Sequence, residues 1–395
     1  MRQVYLDYSA TTPVKEEVVK EMIPYFTEMY GNPSSLYTTG LTAKEGVEKA
    51  RTQIAGLIGA DPKEVFFTSC GTEADNWALE GLALKLKNKG NHIITSKIEH
   101  HAILHTCKYL EKHGFEVTYL DVDHEGFVNP ADLEAAITDK TILVSIMMVN
   151  NEIGTVEPIK DLAKVAHDHN VQFHTDAVQG LGNVPIDVKE LDVDFMSMSG
   201  HKIYGPKGIG ALYIKQGRRL DVFMHGGAQE NKHRAGTENV AGIVGFGKAA
   251  ELANENLEKH REHCTSLRNY FWDQLQANVP NISLNGPQDL EAGKRHPGNL
   301  NVSFDFIEAE SILLMLDYKY GISVSTGSAC SSKSLEPSHV LTAAGVSIVK
   351  SNGTVRFTVG DFTTKDDIDY TVDAMKVIAE RLRQLSPVEG MEGWE

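Results

Sequence analysis

Between about residue 15 and residue 255 the chain alternates short β-rich runs with helical stretches, and this alternation restricts the fold more than any other feature. The runs are Glu64-Val-Phe-Phe-Thr, His92-Ile-Ile-Thr, Thr141-Ile-Leu-Val-Ser-Ile-Met, Val171-Gln-Phe-His-Thr and Phe195-Met-Ser-Met-Ser. Strands that alternate with helices predict βαβ units and a mostly parallel, buried sheet, so the fold class is α/β. In such sheets ligands bind outside the carboxyl ends of the strands. A long polar helical stretch, Ala249 to Ala277, then leads into a different region. There the strand-like runs are Asn299-Leu-Asn-Val-Ser-Phe, Gly321-Ile-Ser-Val-Ser and Thr354-Val-Arg-Phe-Thr-Val, with helices between and after them. We expect a large domain over 15–256 and a smaller α+β domain formed by 257–395 together with the N-terminal segment 1–14. From Ser386 onward the chain reads as turn-like and frayed.

A chain of 395 residues, 41% hydrophobic and 23% charged, can bury a large core. Its formal net charge of −16 argues against a general nucleic-acid binder, whose affinity rests on clustered Lys and Arg. The opening MRQVYLDYSATTP reaches Asp7 before any apolar region, so no signal peptide is expected. The longest apolar stretch, Ile142 to Val149, is too short to span a bilayer. The cysteines at 70, 107, 264 and 330 form no CxxC pair and read as reduced thiols of a cytoplasmic protein.

The sharpest segment is Asp194-Phe-Met-Ser-Met-Ser-Gly-His-Lys-Ile-Tyr-Gly-Pro-Lys-Gly. A β-rich run ends at Ser199-Gly200-His201-Lys202, and a lysine there, beside small residues, can form a Schiff base with a carbonyl cofactor. Alone, a lysine before a turn reads more simply as a surface residue. Asp176, 26 residues upstream in Val171-Gln-Phe-His-Thr-Asp-Ala-Val-Gln179, ends another buried run. A buried acid is costly unless paired, and a protonated pyridine nitrogen is one partner; capping the next helix is the plainer alternative. Gly71-Thr72 stands between a strand and a helical pattern, where free backbone N–H groups can seat a phosphate, although Thr is also a routine N-cap. His100 follows the run at 92–95, where an imidazole can stack on a ring or move protons. His101 and His105 have the i,i+4 spacing of a helical metal pair, but with no third ligand or HExxH frame metal is the minor reading.

Taken together, these segments resemble the NifS/IscS-type cysteine desulfurases, in the class V branch of fold-type I pyridoxal-phosphate enzymes. The resemblance runs from Tyr5-Leu-Asp-Tyr-Ser-Ala-Thr-Thr-Pro and Tyr30-Gly-Asn-Pro-Ser-Ser to Leu385-Ser-Pro. Its most specific pieces are Ser-Gly-His-Lys202-Ile-Tyr-Gly-Pro-Lys-Gly, Val149-Asn-Asn151-Glu-Ile-Gly and Ser328-Ala-Cys330-Ser-Ser-Lys-Ser-Leu-Glu-Pro-Ser, the last resembling the group with an extended catalytic loop. It implies a seven-stranded, mostly parallel sheet flanked by helices in the large domain. Pyridoxal phosphate is the implied cofactor, joined to Lys202, with Asp176 on its pyridine nitrogen and His100 stacked on the ring. The same resemblance implies that Gln179 and Asn151 contact ring substituents or the substrate side, and that Gly71, Thr72, Ser199, Gly200 and His201 hold the phosphate. Thr237, in His233-Arg-Ala-Gly-Thr, matches a residue that reaches the other subunit's phosphate, so a homodimer is implied. Arg356, in Val-Arg-Phe-Thr-Val-Gly, matches the clamp for the substrate carboxylate, a task suited to its fork.

The implied activity converts L-cysteine to L-alanine and leaves the sulfur as a persulfide on Cys330. An acceptor protein follows, in iron–sulfur cluster assembly, tRNA thiolation or related sulfur delivery, with Cys330 as a transient iron–sulfur ligand. The segment around Cys330, rich in Gly, Ser and Ala, is expected to be a mobile arm. Cys70, near the phosphate seat, is expected to be core. Alternatives are a selenocysteine lyase, an aminotransferase of the same branch, and a catalytically idle scaffold of a sulfur-transfer complex. One departure stands out: many relatives have arginine in the Gly-x-Phe-Thr-Thr motif where this chain has Asp361. Five residues past Arg356, an odd offset in an extended strand, Asp361 is expected to point away from the clamp unless Gly360 kinks the strand.

Overall fold

The computed structural model describes residues 2–290, 293–326 and 337–386. Strand β1 (Val4–Tyr5) is followed by β2 (Val65–Thr68), β3 (His92–Ser96), β4 (Glu116–Leu120), β5 (Thr141–Ser145), β6 (Gln172–Asp176), β7 (Phe195–Ser199) and β8 (Gly210–Ile214). The last seven form one sheet in the order β2-β8-β7-β6-β5-β3-β4. Only β8 runs against its neighbours β2 and β7; β7, β6, β5, β3 and β4 pair in parallel. Since β2 and β7 both oppose β8, β2 points the same way as the parallel set. The carboxyl ends of β2, β3, β5, β6 and β7 therefore lie along one edge.

Both faces of the sheet are covered, as strands with unbroken buried patterns require. One face packs on residues such as Val47, Ile54, Leu162, Ala166 and Phe246, from helices Thr38–Ile58, Ile159–Asp168 and Val240–Asn278. The other packs on Trp77, Leu82, Ile103 and Leu110, from helices Gly71–Leu86 and His101–Glu111. Two of the seven strands were not anticipated. Strand β4 lies at the sheet's edge with its first four residues exposed or half-buried, so it lacks the apolar run. Strand β8 follows the Gly-Pro-Lys-Gly turn closely and masquerades as its tail.

The remaining strands are β9 (Ile282–Leu284), β10 (Asn299–Phe304), β11 (Ile322–Ser323) and β12 (Thr354–Thr358). They give an antiparallel sheet, β12-β10-β9, and a parallel β1-β11 pair. Val4 and Leu6 share a core with Phe271, Val302, Phe357 and Met375. The 39-residue helix Val240–Asn278 belongs to both cores: Ile243 and Phe246 sit under the large sheet, Cys264, Phe271 and Leu275 under the small one. Among the described residues no helix is long and apolar enough to cross a membrane.

A buried ion pair ties the loop before the long helix to the sheet. Arg51 bonds both carboxylate oxygens of Glu230, at 2.8 and 2.9 Å, and the Val65 carbonyl at 2.6 Å. Glu230 also accepts the Phe67 amide at 2.8 Å. Glu230, Asn231 and Lys232 all adopt positive φ (44, 54 and 68°), a conformation that persists only when its surroundings dictate it. Glu230→Ala leaves Arg51, whose side chain is 8% exposed, without its buried carboxylate and with only the exposed Glu48 as a counter-charge. The expected cost is roughly 3–5 kcal/mol of unfolding free energy, read from urea midpoints; an unchanged midpoint would show that the pair does not hold the loop.

Candidate active site

At the shared carboxyl edge of the strands lies a cavity of about 300 Å³. Gly71 and Thr72 after β2, His100 after β3, Asn151 after β5, Asp176 and Gln179 after β6, and Ser199, His201 and Lys202 after β7 all line it, as does Arg356 of β12. These residues are scattered over the chain, and parallel strand polarity is what delivers them to one place. Gly200 is buried beside the cavity, where a Cβ would meet Phe246 at 3.2 Å. Thr237 is exposed and does not line the cavity. Cys330 lies outside the described residues, and so does the proposed arm around it.

The flanks of that segment are described, and both attach at the cavity. Ser325 exchanges backbone hydrogen bonds with Arg356, at 2.7 and 3.2 Å. Ser338 donates to Glu152 Oε2 at 2.5 Å, one residue from Asn151, and His339 meets the Glu99 carbonyl at 3.0 Å, one residue from His100.

Asp176 ends β6 at 5% exposure, and its Oδ1 accepts the Val178 amide at 2.9 Å. Burial pushes this carboxyl up to about 6, with the Val178 bond and the Lys202 charge pulling the other way. It is a buried acid that a nearby cation would hold firmly ionised. Lys202 donates to the carbonyls of Ser9 and, at 2.8 Å, of Ala10. Gln179 donates to the same Ser9 carbonyl at 2.9 Å.

His100 caps helix His101–Glu111: its Nδ1 accepts the Ala102 amide at 3.1 Å. Burial first, and Lys202 second, lower its pKa to about 4. At neutral pH the ring is uncharged, and because Nδ1 is an acceptor the proton sits on Nε2. His201 bonds Thr11 at 3.1 Å and is also lowered to about 4, by burial and then Lys202. Arg356 is 3% exposed; it donates to Asp7 and to the Asn151 carbonyl, both at 2.8 Å, while its buried Nε has no protein partner.

The residues fit pyridoxal phosphate. Ser199 Oγ is buried in the cavity wall with no hydrogen-bond partner, beside the first amides of the 16-residue helix Gly71–Leu86. An orphan hydroxyl next to a helix N-terminus suits a phosphate. Asp176 suits a ring N–H⁺ for the reason given above.

Several expectations change here. Cys70 is not core: it is half-buried and lines the cavity. His101 and His105 have ring centroids 5.0 Å apart, yet among the described residues no group of three His, Cys, Asp or Glu is arranged to hold a metal. Ser9, Ala10, Asp7 and Asp75 were not singled out from the sequence, because their contacts span long stretches of chain and no local motif reports them.

Asp361 bonds Lys15 and His260, each at 2.5 Å, and its amide donates to the Tyr204 hydroxyl oxygen at 2.7 Å; it does not pair with Arg356. Despite the cost of burial, His260 and Lys15 lower this carboxyl to about 2 from 3.8. A depressed carboxylate stabilises the fold above its unfolded pKa and loses that contribution as pH falls through the folded one. Wild type should therefore lose roughly 2 kcal/mol between about pH 4 and pH 2 that Asp361→Asn does not lose. Urea midpoints across that range test this; parallel curves would show the contacts to be idle.

The class-V aminotransferase family model matches residues 4–371. A curated relative, the cysteine desulfurase IscS of Dictyoglomus turgidum, is 54% identical over 386 residues, covering 98% of this chain and 97% of its own. Among solved structures, a NifS-like protein superposes with a TM-score of 0.89 at 39% identity, covering 96% of this chain and 99% of that one. SspA in complex with cysteine superposes at 0.80 with 36% identity, over 92% of this chain and all (100%) of the other.

Proposed function

This chain belongs to the class-V aminotransferase family, and from that premise we propose that it is a pyridoxal-phosphate-dependent cysteine desulfurase. It converts L-cysteine to L-alanine and hands the sulfur to an acceptor protein. The observation that carries the reading is the single cavity in which Lys202, Asp176, His100, Ser199 and Arg356 meet, in a chain 54% identical over nearly its full length to a cysteine desulfurase.

When bound, pyridoxal phosphate supplies an electron sink for the substrate's Cα. The chain's own residues do the rest. Ser199, His201, Gly71 and Thr72 hold the phosphate, with Gly200 letting the strand end pass close to Phe246. Asp176 holds the proton on the ring nitrogen. Gln179 and Asn151 orient ring and substrate. Lys202 Nζ provides the covalent anchor and then takes the Cα proton. His100, neutral with its proton on Nε2, covers the ring and can donate. Arg356 binds the substrate carboxylate, braced by Asp7 and the Asn151 carbonyl.

Cys330, as thiolate, would take the sulfur: its S–S bond forms as the substrate's Cβ–S bond breaks, the electron pair stays with Cβ, and a proton at Cβ together with the return of the Cα proton from Lys202 completes alanine. The residues that flank the segment attach beside the cavity, Ser325 on Arg356, Ser338 on Glu152 and His339 on the Glu99 carbonyl. The persulfide is then carried to an acceptor in iron–sulfur cluster assembly or tRNA thiolation.

A homodimer completes the reading. Ile23, Phe26, Tyr30, Leu36 and Tyr37 are all more than half exposed, an apolar concentration beyond the scattered surface hydrophobics of a monomer, and exposed Thr237 stands free to reach a second subunit. We read residues 15–256 as the large domain and 1–14 with 257–395 as the small one.

Two variants test the proposal. Lys202→Ala should stay folded and abolish alanine formation, with borohydride fixing cofactor on Lys202 alone in wild type; a label on another residue refutes the assignment. Cys330→Ala should still bind cysteine yet lose cysteine-derived persulfide by roughly 10³-fold or more. Persulfide at wild-type levels would move the chemistry to another thiol, Cys70 being the one in the cavity.

A further inference from the structure

Asp75 is 1% exposed, yet its Oδ1 has no hydrogen bond and the residue lines the cofactor cavity. It enters from helix Gly71–Leu86, which covers the face of the sheet that carries Asp176. Along that face runs a buried polar band. Ser145 of β5 meets His174 Nδ1 at 2.9 Å, and His174 Nε2 meets Ser197 of β7 at 3.0 Å. Asp75 Oδ1 stands 3.8 Å from the same Nε2. His174 and Asp176 are two residues apart on β6 and so share a face, and Asp176 pairs in register with Ser197.

Among the described residues no Lys or Arg forms an ion pair with Asp75, whose one basic neighbour is His174. His174, fully buried, is lowered to about 3 and stays neutral. The charged or titratable groups facing Asp75 are otherwise acidic: Asp176, Glu99 and Cys70. Burial first, then the Asp176 charge, raise Asp75 well above the usual carboxylate range. Two carboxyls in one dry site cannot both ionise and titrate as a pair. Asp176 has the Val178 amide and the Lys202 charge on its side, whereas Asp75 has only Ser197.

We propose that Asp75 and Asp176 form a coupled carboxyl pair sharing one proton, which resides on Asp75, so that Asp75 is a positioning residue that leaves Asp176 the sole anion toward the cofactor. The functional half of this rests on the cofactor reading above; the location of the proton does not.

The test has two arms. In infrared difference spectra of wild type against Asp75→Asn at neutral pH, with and without cofactor, a protonated-carboxyl band of wild type should be absent from the variant. Loss of carboxylate bands alone overturns the proposal. In the second arm, Asp75→Asn, the neutral isostere, should keep the pH midpoint of the bound cofactor's absorbance and its affinity for pyridoxal phosphate. Asp75→Ala and Asp75→Ser, which shorten the side chain and remove the neutral hydrogen-bonding group that Asn keeps, should shift that midpoint and weaken cofactor binding about tenfold. A tenfold loss in Asp75→Asn, or no change in either truncated variant, overturns the role; if Asp75→Ala does not fold, the Asn and Ser variants decide. A wild-type protein that takes up no pyridoxal phosphate refutes the proposed function and leaves the infrared arm intact.

Discussion

A carboxylate at the inner end of a buried strand is costly unless a positive charge is brought to it, and the organisation around Asp176 follows from that cost. At 5% exposure, with one backbone amide as donor, the group sits near 6 when burial dominates. A ring N–H⁺ would supply that charge, and the rest of the cavity lining would hold such a ring. Helix Gly71–Leu86 offers its first amides and Ser199 an unspent hydroxyl on one side. Arg356 waits on the other, its fork braced by Asp7. None of this requires unusual local structure. It requires five strands to end at one edge, which parallel pairing on both sides of β6 enforces.

That dependence explains what was legible in the sequence. Asp176 and Lys202 each terminate a run whose every residue is buried or nearly so, and a titratable group at the end of an apolar run is conspicuous because burial makes it expensive. Strands β2, β3, β5, β6 and β7 were visible for the same reason. Strand β4 was invisible because an edge strand needs no apolar run, and the three-residue β9 because it is short and half-buried throughout. The contacts of Lys202 with Ser9 and Ala10, across more than 190 residues, leave no trace in local pattern. Asp75 was hidden differently: on a helix, an acid among Ala, Asn and Trp reads as a solvent-facing residue until the sheet it covers is known. Cys70 reads as core because its place after the strand falls on the far side of a bound cofactor, whereas the structure leaves it half-buried and lining the cavity.

The long helix Val240–Asn278 joins the two cores, and a single helix is a rigid connector only where side contacts stop it from pivoting. Asp361 supplies them. It gathers Lys15 from the N-terminal segment, His260 from the long helix and the Tyr204 hydroxyl from the turn after Lys202. His260 continues through its Nε2 to Asn183 at 2.9 Å, and Asn183 reaches the Gln179 carbonyl at 3.2 Å. A small cavity walled in part by Gln179, Lys202, Tyr204, His260 and Asp361 lies along this chain of bonds. An arginine at 361 would place a second cation against Lys15 and His260, and the network as built here would come apart. The aspartate at 361 is therefore matched by two basic neighbours, Lys15 and His260, and through them the N-terminal segment and the long helix are tied to the end of the strand that carries Arg356.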